Sequence, residues 1–168
     1  MKRTFEIINS LVEDEIILKY ALAGSVATLF YIEPTVTYDL DILVVVNSDS
    51  VLEPLKEIYN WARERNYEAK DEHIHIEGTP VRFLPVYSTL INEAVENAVM
   101  KEFEDVPVKV VTAEYLVAIM IDVNRQKDRE RAVRFFTEYR GLDTEKLNNI
   151  AARFGLKEKL DSFKERYL

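Results

Sequence analysis

Cysteine is absent from the 168 residues, which excludes disulfides, thiolate nucleophiles and cysteine-ligated zinc. Histidine occurs only as His73 and His75. The two share one face of a short predicted strand, without a third nitrogen or sulfur ligand, so they read as exposed strand residues and not as a metal site. Any metal here has to be a hard cation held by oxygen. Glycine is scarce at four residues, and there are no repeats, low-complexity stretches or Gly/Ser linkers. No apolar run approaches the ~20 residues that span a bilayer, so no membrane association is expected. Residues 1–14 alternate charged and apolar side chains and lack the apolar stretch of a signal peptide, which makes a cytoplasmic location the expectation. Excess positive charge is missing too. The net charge is −8, so any contact with nucleic acid has to use a local basic patch.

What is present has the balance of an ordinary globular domain, 48% hydrophobic and 31% charged. Phe5, Ile8, Leu11 and Val12 recur at helical spacing and predict an amphipathic helix over residues 4–14. Residues 16–22 suit a buried strand. Gly24-Ser25 opens a helical stretch through Val26, Leu29 and Phe30 that Pro34 ends. Residues 39–46 form the strongest strand pattern, nearly continuous and β-branched, as expected for a strand buried on both faces. A helix follows over 51–66, carrying Leu52, Leu55, Ile58, Tyr59 and Ala62 on one side and its N-cap within Asn47-Ser48-Asp49-Ser50. Tyr59, Trp61 and Tyr67 read as core packing there. Strands over 73–76 and 81–86 meet at Glu77-Gly78-Thr79, a hairpin signal. Residues 88–99 read as helix, and 102–103 with 106–111 as a second small hairpin. From Thr112 onward the pattern is helical, over 113–123, 125–139, 144–154 and 156–167, with Gly141 and Gly155 as C-caps. The composition shift divides the chain into an α/β core, 1–111, and a helical C-terminal region, 112–168.

One constellation carries chemistry. Residues two apart in a strand point the same way, so Asp39 and Asp41 aim both carboxylates at one spot while Leu40 faces away. Two such carboxylates repel unless a cation lies between them. Mg²⁺ accepts this arrangement, completing its shell with water and substrate phosphates. Gly24 permits a tight turn and close approach to a ligand, while Ser25 brings a hydroxyl and free N–H groups suited to a triphosphate. The carboxylate pair also leads straight into the apolar run Ile42-Leu43-Val44-Val45-Val46, and carboxylates beside a buried strand need a reason. The basic cluster Arg125, Lys127, Arg129, Arg131 and Arg134 reads in two ways. It is a solvated helix, with Lys127, Arg131 and Arg134 on one face and Glu130 pairing with Arg134, or it is a phosphate-binding element. Tyr87, Tyr115 and Tyr139 have no spacing that implies base stacking.

Ala23-Gly24-Ser25 followed by Thr37-Tyr38-Asp39-Leu40-Asp41 resembles the glycine-serine and Asp-x-Asp motif of the DNA polymerase β-like nucleotidyltransferases. Glu114-Tyr115-Leu116-Val117-Ala118 with Arg125-Gln126-Lys127-Asp128 is similar to the C-terminal motifs of the abortive-infection (AbiEii-like) branch. The resemblance runs from about residue 16 to 134. It implies an α+β nucleotidyltransferase fold, a small mixed sheet flanked by helices with a helical C-terminal region. It further implies Mg²⁺- or Mn²⁺-dependent transfer of a nucleoside monophosphate from an NTP. On this basis Asp39 and Asp41 hold metal. Gly24, Ser25, Arg82 and Arg125 bind nucleotide. Lys127 meets phosphate, and Asp128 orients Lys127 or caps a helix. Some members are toxins, so a cognate antitoxin is an implied partner.

Two positions depart from the pattern. Arg82 stands where a later core strand carries a third carboxylate, and a cation there weakens metal binding, contacts phosphate, or pairs with Asp39 or Asp41. Asp71, Glu72 and Glu77 flank the same hairpin without the expected placement. Met120 stands where the abortive-infection pattern has lysine. The competing expectation is therefore a nucleotide- or partner-binding module that keeps the fold without turnover. The acceptor stays open among an RNA end, a protein hydroxyl and a small hydroxylated molecule.

Overall fold

The structure is a computed structural model, and it describes residues 1–33, 37, 39–47 and 53–168. The described residues form seven strands, β1 (Lys19–Ala23), β2 (Leu40–Val45), β3 (Ala69–Lys70), β4 (His73–Ile76), β5 (Thr79–Pro85), β6 (Val99–Phe103) and β7 (Val106–Val110), of which β4, β5 and β7 alternate buried and more exposed positions. They form one mixed sheet in the order β3-β4-β5-β2-β1-β7-β6. This is the mixed sheet flanked by helices that the sequence led one to expect. β2 lies at its centre, antiparallel to β1 and parallel to β5. That position explains its near-continuous apolar run, in which Leu40, Ile42 and Val44 are wholly buried.

The helices are α1 (Lys2–Glu13), α2 (Gly24–Thr28), α3 (Lys56–Glu64), α4 (Thr89–Glu96), α5 (Ala113–Val123), α6 (Gln126–Glu138), α7 (Thr144–Arg153) and α8 (Lys157–Tyr167). α1 closes on the sheet through Phe5, Ile8 and Leu11, all fully buried. The Thr4 hydroxyl bonds Thr79 Oγ1 at 3.1 Å and the Ile76 carbonyl at 3.3 Å, which ties α1 to the β4–β5 hairpin. α5 is buried along almost its whole length because it packs against α2, α4, α6, α7 and α8. Among the described residues no helix is long and apolar enough to cross a membrane.

Several boundaries differ from the sequence expectation, each for a local reason. β1 starts at Lys19 because Ile16 and Ile17 still donate to the Leu11 carbonyl in the turn after α1. The helix expected over 88–99 stops at Glu96. Ser88 caps its start by accepting from Ile91 N, and Val99 begins the edge strand β6 opposite Val110. The β4–β5 hairpin closes with Glu77 at φ 50° and Gly78 at φ 78°, the paired positive values a two-residue turn requires. Gly155 takes the left-handed backbone after α7, whereas Gly141 does not and lies beyond the α6 cap Tyr139. Tyr59 is exposed, so only Trp61 and the partly buried Tyr67 pack as expected. Pro34, Tyr38, Leu52 and the Ser48-Asp49-Ser50 part of the expected N-cap lie outside the described residues.

Candidate active site

Strand register assembles the centre of the site. Ala23, the last residue of β1, pairs with Asp41 on β2, and Asp41 pairs with Arg82 on β5. One row across three strands therefore sets Gly24, Asp41 and Arg82 side by side, although they are far apart in sequence. Arg82 Nε donates to Asp41 Oδ1 at 2.8 Å, and its Nη2 lies 2.7 Å from the same oxygen in an ion pair. Its Nη1 lies 3.5 Å from Glu72 on the rim. Partial burial opposes the guanidinium charge, but the hydrogen bond to Asp41, with the charges of Asp41 and Asp39, outweighs it and raises the Arg82 pKa.

Gly24 has a positive φ of 62°, and a Cβ built on it would stand 2.1 Å from Asp41 Oδ2. The sequence suggested that this glycine makes room for a ligand. The group it makes room for is the Asp41 carboxylate. α2, which it opens, is five residues long, too short to lend a helix dipole to an anion, so Ser25 offers its hydroxyl and local N–H groups alone. Asp39 lies just before β2 with its side chain 44% exposed. It accepts from Thr37 Oγ1 at 3.3 Å, and His73 Nε2 lies 3.9 Å away. His73 is thus half-buried at the edge of the site, a neighbour that strand periodicity alone did not reveal.

The second half comes from α6. Asp128 is 4% exposed and accepts from Arg125 Nε at 2.6 Å and Nη2 at 3.3 Å. This hydrogen bond raises the Arg125 pKa. Asp128 therefore orients Arg125, where the sequence reading gave it Lys127 or a helix cap. Lys127 and Arg131 have no ion-pair or hydrogen-bond partner among the described residues. Arg134 pairs with Glu138 at 2.6 Å, not with Glu130, and Arg129 bonds the Asn124 carbonyl, so both belong to the helix surface.

All eight site residues expected from sequence, Gly24, Ser25, Asp39, Asp41, Arg82, Arg125, Lys127 and Asp128, line one cleft of about 540 Å³. That volume lies in the range of small-molecule sites. Four cations (Arg82, Arg125, Lys127, Arg131) face three carboxylates (Asp39, Asp41, Asp128) there, so the cleft is locally positive on a protein of net charge −8. The rest of the lining is an apolar wall, in which Leu43 and Leu84 follow Asp41 and Arg82 along β2 and β5 and Ile91, Leu116, Ile119, Met120 and Val123 come from α4 and α5, with Tyr87 at the mouth, 70% exposed. Sequence reasoning missed this wall and set Tyr87 aside, because α5 reads as a core helix until its neighbours are placed. Met120, noted for lacking a lysine, is part of the wall.

The donor set suits a hard cation in kind. Among the described residues no group of three or more His, Asp or Glu side chains gathers as a metal cage. Two carboxylates are nonetheless within what Mg²⁺ takes when phosphates and water complete its shell.

No family model matches the sequence, and no curated protein matches it. Solved structures do match. An antigenic nucleotidyltransferase-like protein from Paracoccidioides brasiliensis aligns with a TM-score of 0.56 at 14% identity, over 99% of this chain and 92% of its own. The antibiotic-resistance factor ANT(2'')-Ia aligns with a TM-score of 0.54 at 14% identity, over 99% of this chain and 97% of its own. The fold is a nucleotidyltransferase fold. At this identity the likeness concerns the fold.

Proposed function

We propose that the protein is a divalent-metal-dependent nucleotidyltransferase that moves a nucleoside monophosphate from an NTP to an acceptor hydroxyl. The observation that carries this reading is the meeting of the Asp39/Asp41 carboxylates with Arg125, Lys127 and Arg131 across one cleft. The carboxylates suit a cation and the α6 side suits the triphosphate. The acceptor oxygen forms the new bond to the α-phosphorus, the bond to the bridging oxygen breaks, and pyrophosphate leaves. Mg²⁺ or Mn²⁺ held by Asp39 and Asp41 would supply charge stabilisation at the attacking and leaving oxygens. Lys127 and Arg131 draw in and hold the departing phosphates, and the buried Asp128 keeps Arg125 extended beside them. Gly24 and Ser25 border the phosphate path. In this reading Asp39, the carboxylate without an arginine partner, takes the hydroxyl proton. The apolar wall and Tyr87 offer the base or the acceptor a surface to lie on.

The finer assignment, to the abortive-infection branch with an antitoxin as partner, is supported only by the motif run at residues 114–118 and 125–128. Glu114 in that run is buried and accepts from Asp143 N at 3.2 Å, with Lys146 Nζ at 3.4 Å, so it also clamps α5 to α7. A second reading, a nucleotide- or partner-binding module, is favoured by the Arg82–Asp41 ion pair, which occupies an oxygen the metal needs.

Calorimetric titration of the four NTPs with Mg²⁺ tests both readings. Wild type is expected to bind, and the Asp39→Ala/Asp41→Ala double variant to lose metal-dependent binding while keeping its melting transition. Transfer of label from an α-labelled NTP to an acceptor pool then separates enzyme from module. Unchanged binding in the double variant would remove the carboxylates from the site.

A further inference from the structure

Asp41 Oδ1 is already engaged. Arg82 Nε donates to it at 2.8 Å and Nη2 lies 2.7 Å away, while Oδ2 lies beside Gly24, where a single added carbon would stand 2.1 Å from it. The Asp41 side chain is only 16% exposed. Arg82 cannot drift away, because β5 is locked to β2 in register at this residue. Its stem can still swing, and its side chain is 28% exposed on the cleft side. The last held proton donor, Nη1, has the well-solvated Glu72 at 3.5 Å as its partner, a weak tether.

We propose that Arg82 and the divalent cation compete for Asp41 Oδ1, so that the cation enters the site with the triphosphate and not ahead of it. Two cations cannot share one partly buried oxygen without repelling each other. A metal arriving alone has to displace the guanidinium and leave it without a full counter-charge in a cleft that already holds Arg125, Lys127 and Arg131. A triphosphate arriving with the metal gives Arg82 an anion suited to its fork, and Asp41 is released. Arg82 then changes partner, from carboxylate to phosphate. It acts as a positioning residue that keeps the carboxylate oxygen covered until substrate is present. This inference rests on the function proposed above, but its central measurement needs no nucleotide.

Mn²⁺ alone is titrated into wild type, Arg82→Gln and Arg82→Gln/Asp41→Asn, with bound and free ion read by electron paramagnetic resonance. Arg82→Gln is expected to bind Mn²⁺ about tenfold more tightly than wild type, and the added Asp41→Asn change to abolish the gain. A non-hydrolysable ATP analogue in EDTA is expected to bind Arg82→Gln about tenfold more weakly than wild type. Opposite shifts for metal and nucleotide are the signature, since damage to the fold would weaken both. Arg82→Met, which keeps the stem without the charge, serves the same test if the glutamine variant melts early. Equal Mn²⁺ affinity in wild type and both Arg82 variants overturns the competition. Failure of wild type to bind nucleotide with Mg²⁺, while the Mn²⁺ gain in Arg82→Gln persists, overturns the proposed function and leaves the competition standing.

Discussion

Replacing Gly24 by alanine tests the site geometry without any substrate. Two costs arise. The backbone at φ 62° disfavours an L side chain by about 1–2 kcal/mol. The new methyl also meets Asp41 Oδ2 at 2.1 Å, Cγ at 2.8 Å and Cβ at 2.9 Å, and β2 is central, so the carboxylate has little room to retreat. Overpacking of this kind adds about 1–3 kcal/mol. The sum, about 2–5 kcal/mol, lowers the melting temperature on the order of 10 °C for a chain of this size. Gly78→Ala is the matched control. Its φ of 78° carries the same backbone strain, and nothing lies within 4 Å of its added carbon. Thermal melts followed by circular dichroism should therefore place Gly24→Ala well below Gly78→Ala. In the Gly24→Ala/Asp41→Ala double variant, which removes the two closest atoms, part of the loss should be recovered. Equal melting of the two glycine variants, or strict additivity with Asp41→Ala, would refute the reasoning.

Lys127→Ala and Arg131→Ala, which remove cations that have no partner among the described residues, should each weaken nucleotide binding by roughly tenfold and flatten its salt dependence, with little change in melting. Titration of a nucleotide at low and high ionic strength reads this, and unchanged salt dependence in the double variant would move the phosphates elsewhere. Glu93, which joins α4 to α5 and α7, is hydrogen-bonded by Arg153 and Tyr115, and the Arg153 bond is the main cause of its lowered pKa. A depressed carboxyl pKa contributes stability above the unfolded value near 4.5, and this is lost as pH falls through the folded value. The unfolding free energy of wild type, read by urea titration, should therefore fall more steeply below pH 4.5 than that of Glu93→Gln, by less than about 1 kcal/mol because the pair is partly solvated. Parallel curves would show that Glu93 does not couple to pH.

Local pattern was enough to read much of this protein from its sequence. Strict helical spacing placed α5 to within its observed bounds, and the β-branched run after Asp41 announced a central strand, because such signals depend on neighbours only a few residues away. The Gly24-Ser25 and Asp39-Leu40-Asp41 motifs were legible for the same reason, and their residues line one cleft. Edge strand β6 was read only at its end, residues 102–103, with Val99 given to the preceding helix, since an exposed edge has no strong pattern of its own.

What the sequence could not determine is every pairing set by strand order. That Arg82 stands beside Asp41, that Gly24 makes room for a carboxylate, and that Asp128 holds Arg125 follow from register and packing between distant segments. The apolar wall of α5 with Tyr87 at its mouth likewise exists only once helix and sheet face each other across the cleft. Composition and spacing determine which side chains are available to a site. Only tertiary contacts determine which charges neutralise one another and which stay free for a ligand, because electrostatic pairing acts through space over a few ångströms, whatever the separation along the chain.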